Sequence, residues 1–196
     1  VSAVRVFAGR TSTGVRGIRL VENDQIVTLT ILSHVEATAE ERDAYLRQSG
    51  AVRRGDTEET DARFDELAAT EDFLLTVSEN GYGARTSAYE YRLTNRGGSG
   101  IWNMDTGVRN GNVLATFKIA SGQHVMLVTD RGQIIRMDAD DVRITGRRTM
   151  GVRLFRLAMD ERVVSITRLD EDALNDDNED DTLEEAQVPE EGNEEE

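Results

Sequence analysis

Seven arginines and one serine stand where their side chains could meet a row of phosphates: Arg10, Arg16, Arg85, Arg96, Arg136, Arg147, Arg148 and Ser99. A guanidinium carries a permanent charge on a planar fork of donors, so it can grip two phosphate oxygens at once. Spacing strengthens the case. Arg85 and Arg136 occupy one place in a repeated pattern and Arg96 and Arg147 another, with Arg10 at the second place in an earlier copy and Arg16 beside it. Arg96-Gly97-Gly98-Ser99-Gly100 forms a loop that a phosphate could approach without side-chain obstruction, with the Ser99 hydroxyl as a donor. This loop lacks the Gly-Lys-Ser or Gly-Lys-Thr ending of a Walker loop and the strand-to-helix setting of a dinucleotide fingerprint. The competing reading is that one member of each arginine pair closes a contact between units through a carboxylate or carbonyl.

Other residue types offer less chemistry. His34 and His124 assemble no metal triad, and Asp140 and Asp141 lack an accompanying base and nucleophile, so they read as a solvated turn. Tyr82, Tyr89, Tyr91 and Trp102 are too sparse for a single-strand stacking stripe and read as packing groups. No catalytic residue, resident cofactor or metal ligand is expected in this chain.

The elements that must hold these arginines repeat. An offset of 51 residues superposes 73–101 on 124–152 without gaps, aligning Gly81 with Gly132 and Gly100 with Gly151. A third copy lies 137 residues before the last, where Arg10, Gly14, Val15 and Arg16 fall on Arg147, Gly151, Val152 and Arg153. Gly14 and Gly100 are 86 residues apart, which leaves room for an insertion of about 35 residues between the first two copies. Repeats of this length with strand-like content suggest propeller blades or a related radial array. Strands are expected at 3–8, 17–21, 25–32, 73–78, 113–119, 124–129, 133–137, 152–157 and 162–169, with 89–93 a strand or a connector. Asn80-Gly81 and Asp130-Arg131-Gly132 supply hairpin turns. The interruption at 33–72 reads as a helical hairpin, opened by Thr38 with Glu41 as a capping box and broken between Gly50 and Gly55.

Charge is divided by segment. Of the 196 residues, 38 are acidic and 23 are Lys or Arg, giving a net charge of −15. Residues 170–196 hold 15 acids and no base, and residues 33–72 hold 12 acids against 5 arginines, so the repeated body is net +7. A summed charge therefore hides a basic surface. The tail at 170–196 is expected to be disordered, having little apolar surface to offset ordering entropy, and is a candidate regulator of the basic surface. With no cysteine, there is neither a disulfide framework nor a thiolate metal site. Neither a membrane-length apolar run nor a secretory leader is read, so a cytosolic setting is expected.

The recurring elements, above all Thr76-Val77-Ser78-Glu79-Asn80-Gly81-Tyr82-Gly83-Ala84-Arg85-Thr86, Arg96-Gly97-Gly98-Ser99-Gly100 and Arg147-Arg148-Thr149-Met150-Gly151-Val152, closely resemble the C-terminal DNA-wrapping domain of the bacterial DNA gyrase A subunit. The related topoisomerase IV subunit shares the repeat. The resemblance spans residues 1–169 and implies an all-β fold, a β-pinwheel whose propeller-like blades exchange strands, here as a partial array carrying the insertion and the tail. It further implies binding and bending of double-stranded DNA on a basic rim. The gyrase B subunit, with the rest of the gyrase A subunit, would complete a heterotetramer in the bacterial cytoplasm, and ATP and magnesium would be used elsewhere in that enzyme. The family's cleavage tyrosine lies in another region, so Tyr82, Tyr89 and Tyr91 take no catalytic role. The gyrase-specific Gln-Arg-Arg-Gly-Gly-Lys-Gly loop has only a partial counterpart at 96–100, with Ser99 in place of lysine. The alternative function is a noncatalytic pinwheel that binds another protein through its loops and acidic insertion.

Overall fold

Aliphatic and threonine residues on either side of Asn80-Gly81 fold back as a hairpin, because Gly81 takes the positive φ of 74° that the turn requires. Its arms are β1 (Phe73–Ser78) and β2 (Tyr82–Ser87), paired antiparallel with Leu75 opposite Arg85. The other edge of β1 takes β3 (Val113–Ile119). The unit then repeats: β4 (His124–Thr129) and β5 (Ile134–Asp138) form the second hairpin. After them come β6 (Val152–Arg153) and β7 (Val163–Leu169), and β7 pairs with β4 as β3 does with β1. The computed structural model describes residues 5–169.

The sheets are ordered β3-β1-β2-β6 and β5-β4-β7. Although β6 follows the second hairpin in sequence, it pairs with β2 of the first, placing Tyr82 opposite Arg153. Blades thus exchange a strand, as the pinwheel resemblance implies. Alternation along β4 buries Val125, Leu127 and Thr129, the period of two expected of a strand with one buried face. Val125 and Leu127 join Leu75, Val77, Ile119, Val142 and Val163 in one core that spans both sheets.

Several expected strands are not formed. Residues 25–32 run without ladder pairing, and Leu29 is 85% exposed. They match β3 and β7 in the repeat, and each of those strands pairs with the hairpin preceding it. Among the described residues no such hairpin precedes residue 25, and 25–32 is tied to β3 by side-chain bonds from Thr28 and Thr30 to the Thr116 carbonyl. Residues 17–21 are reduced to a bridge at Ile18, the counterpart of the bridge at Met104 one unit on, and Ile101-Trp102, which match β6, pair with no strand among the described residues. The described part of 3–8 is likewise not strand, and 152–157 contributes only the two residues of β6. Residues 88–90 and 139–141 are matching 3-10 turns. The expectations for 170–196 lie outside the described residues.

The insertion is helical, with α1 (Ala39–Arg54) and α2 (Ala62–Ala69). Thr38 and Glu41 form the complete capping box, and Asp61 caps α2 by accepting from Phe64 N. The break expected from Gly50 falls later: α1 continues to Arg54 and ends at Gly55, whose φ of 76° gives a left-handed cap. Tyr45 and Leu67 pack with Tyr89 of the first blade, and Lys118 reaches Asp72 at 2.6 Å. These contacts hold the helices against the sheet.

Candidate nucleic-acid interface

The three glycine-rich segments are joined backbone to backbone. Gly97 N donates to Gly17 O at 2.7 Å and Arg19 N to Gly98 O at 2.8 Å. One unit on, Arg148 N donates to Asn103 O and Asp105 N to Thr149 O, both at 3.0 Å. Each pair of bonds flanks a parallel bridge, Ile18 with Gly98 and Met104 with Thr149. The offsets of 86 and 51 carry the first set of residues onto the second. A repeat of residue types is therefore a repeat of hydrogen bonds, and the segments make one seam across three units. Gly14, Gly100 and Gly151 sit at matching places with φ of 77°, 77° and 78°.

Along this seam Arg10, Arg16, Arg96, Ser99 and Arg148 are exposed. None of these four arginines is in an ion pair with another described residue. Arg148 has a φ of 60° where its counterpart Gly97 has 73°, a backbone region that a side chain occupies only at a cost. Arg136 is exposed on β5, an edge strand.

Arg85 and Arg147 are placed differently. Arg85 forms an ion pair with Asp140 of the next unit, and its side chain is only 11% exposed. Its carbonyl also accepts from Thr145 N at 2.8 Å, beside a bridge to Ile144. Asp140 is therefore not a merely solvated turn residue: the Ser121 hydroxyl, Arg85 and the Gly122 amide lower its pKa to about 2. Arg147 donates to the Trp102 carbonyl at 2.8 Å and lies 3.8 Å from Glu90. Its guanidinium also sits 5.7 Å from the centre of the Tyr91 ring. One member of each arginine pair thus joins units while the other faces solvent.

The aromatic side chains divide too. Tyr82 and Tyr89 are buried as packing groups, and burial raises the Tyr91 pKa to about 12. Trp102 departs from the packing expectation at 62% exposed, as its counterpart Arg153 on β6 is also exposed. Sequence reasoning missed Arg109 and Arg153, which converge on the Tyr82 hydroxyl. Arg109 falls on Asp160 in the next unit, so the repeat gave no signal for it, whereas Arg153 falls on Arg16, which marks a basic side chain there but not its meeting with Tyr82. Among the described residues no group of three or more His, Cys, Asp or Glu could hold a metal ion, and no helix is long and apolar enough to cross a membrane.

Blades that exchange strands and are laced by a recurrent glycine-rich seam define a propeller-like pinwheel. The family described as DNA gyrase C-terminal domain, beta-propeller, matches residues 1–33, 72–112 and 123–170, passing over the helical insertion. The chain belongs to that family. The DNA gyrase A subunit of Granulibacter bethesdensis is 48% identical over 202 residues, covering 91% of this chain and 22% of the relative. Its counterpart in Rickettsia bellii is 46% identical over 206 residues, covering 99% of this chain and 22% of the relative. This chain therefore spans about a fifth of the length of these curated relatives. A solved gyrase A C-terminal domain covers 50% of this chain and 33% of its own, at 26% identity and a TM-score of 0.47.

Proposed function

We propose that this chain bends duplex DNA along its arginine-bearing seam, as the wrapping part of a type II topoisomerase whose complete form introduces negative supercoils. The observation that carries the reading is the continuity of the seam: Arg16, Arg96 and Arg148 stand exposed on segments bonded to one another across units. Bending a site of about 20–30 base pairs takes on the order of 1–6 kcal/mol, which distributed phosphate contacts must offset. A rigid track of charges serves that need because its geometry is set before the duplex arrives. Base-specific discrimination is not needed, since the groups on the seam suit phosphate oxygens.

In this reading the remainder of a gyrase A subunit cleaves and rejoins the duplex, and a gyrase B subunit completes the heterotetramer. ATP and magnesium are used in those other parts, and the setting is the bacterial cytoplasm. This chain would set the path of the DNA and hence the handedness of the crossing presented for strand passage. Energy transfer between dyes on the two ends of a linear duplex tests the bend. The ends should draw together on binding, and the Arg16→Gln, Arg96→Gln, Arg148→Gln triple variant should largely abolish the change. Unchanged transfer with the unaltered chain at saturating concentration would overturn the reading.

A further inference from the structure

Tyr82 lies at the junction of two blades, and its hydroxyl is the shared acceptor for two arginines. Arg109 Nε donates to it at 3.3 Å, Arg153 Nε at 3.2 Å and Arg153 Nη2 at 2.9 Å. Both guanidinium carbons also lie near the ring, 5.1 Å and 5.5 Å from its centre. Like charges drawn to one point are ordinarily separated by a carboxylate. Here the acceptor is a phenol, which takes the hydrogen bonds and leaves both positive charges uncompensated. Neither arginine has an ion-pair partner among the described residues, although Tyr82 itself is buried. The nearby open cavity of about 470 Å³ is also lined by Arg156 and Arg162. Two acids line it as well, Asp160 and Glu161, but Glu161 is occupied by the Thr129 hydroxyl at 2.6 Å and the Ala158 amide at 2.9 Å.

We infer that Arg109 and Arg153, held by the Tyr82 hydroxyl, form a two-armed clamp for a phosphodiester group of duplex DNA. The inference rests on the proposed DNA-bending function and adds Tyr82 and Arg109 to the seam's edge, where Arg153 takes the place that Arg16 has in the first unit. Tyr82 is a positioning residue in this arrangement. It fixes the guanidinium forks through one edge and leaves the remaining N–H groups for phosphate oxygens. The Tyr82 pKa is lowered by Arg109 and then Arg153, in keeping with an electropositive pocket. Because β6 brings Arg153 to β2 from the following unit, the clamp exists only when the two blades are docked.

The test measures duplex affinity as a function of salt for the unaltered chain, for the Arg109→Gln, Arg153→Gln double variant and for Tyr82→Phe, with thermal melts to verify folding. Loss of one clamped phosphate should reduce the magnitude of the log K against log salt slope by about 1 and weaken binding about tenfold in the double variant. Tyr82→Phe should weaken binding by a smaller factor, about threefold, with little change in slope, since both charges remain. Duplex binding by the unaltered chain that is matched in affinity and slope by the folded double variant overturns the clamp while sparing the bending function. Absence of duplex binding by the unaltered chain overturns both. In a separate arm, inorganic phosphate is titrated while the arginine Nε resonances are followed. Saturation lost in the double variant, with duplex affinity unaffected, would assign the site to free phosphate and overturn the duplex proposal.

Discussion

Arg85 and Arg136 occupy the same place in successive units, yet one is nearly enclosed and the other exposed. The neighbouring blade makes the difference. Arg85 faces a following blade that supplies Asp140, Ile144 and Thr145, whereas no blade follows β7 among the described residues. Asp140 itself falls on Tyr89 in the preceding unit, where the position packs against Tyr45 and Leu67 of the insertion. Position in the array therefore assigns the work of a repeated residue: an arginine between blades joins them, and one outside that joint remains free for a ligand.

Glycine gives the largest separation between equivalent places. An added Cβ at Gly151 would meet Gly83 O and Met104 Cε at 2.6 Å, while at Gly14 it would meet nothing within 4 Å. Both share a positive φ, so Gly14→Ala should cost about 1 kcal/mol in urea denaturation, and Gly151→Ala at least about 3 kcal/mol. Equal costs would mean that blade docking does not tighten the seam as described. For the arginines, Arg85→Ala should cost about 1–3 kcal/mol by breaking a mostly enclosed ion pair, and Arg136→Ala within about 0.5 kcal/mol.

The pH dependence sharpens the same contrast. Asp140 has a folded pKa of about 2, below its ordinary 3.8. Its unfolded form binds a proton first as pH falls, so its stabilising contribution is complete above the ordinary value and is lost on descent toward about 2. Asp140→Asn should remove that part of the acid-induced loss, read from melting temperatures across this range. Arg148→Gly should have a smaller effect, raising stability by about 1 kcal/mol through relief of its positive φ while weakening DNA binding. A variant that gained neither stability nor lost affinity would contradict the assignment of Arg148 to a strained, ligand-facing place.

The hairpins were legible in sequence because their determinants are local: apolar, strand-forming runs lead into Asn80-Gly81 and Asp130-Arg131-Gly132, and the glycines suit the turns. The capping box at Thr38 was legible for the same reason. Residues 25–32 have an equally strand-like composition, but a ladder needs a partner, and composition does not reveal that they pair with no strand among the described residues. Gly50 suggested a break, yet the surrounding helix continues because Tyr45 and its neighbours are packed against the first blade. Among the site residues, repetition identified the seam arginines without distinguishing those used at blade joints. The Tyr82 cluster was hidden because its partners lie 27 and 71 positions away and meet only after strand exchange.

The most direct test compares the salt dependence of duplex binding for the unaltered chain, Arg85→Gln and the seam variant carrying Arg16→Gln, Arg96→Gln and Arg148→Gln. The expected result is a steep slope for the unaltered chain, nearly the same slope for Arg85→Gln, and a loss of roughly 3 in slope magnitude for the seam variant. A slope unaffected by the seam changes, or one that falls with Arg85→Gln alone while the chain remains folded, would contradict the assignment of the seam arginines to DNA and the blade-joint arginine to structure.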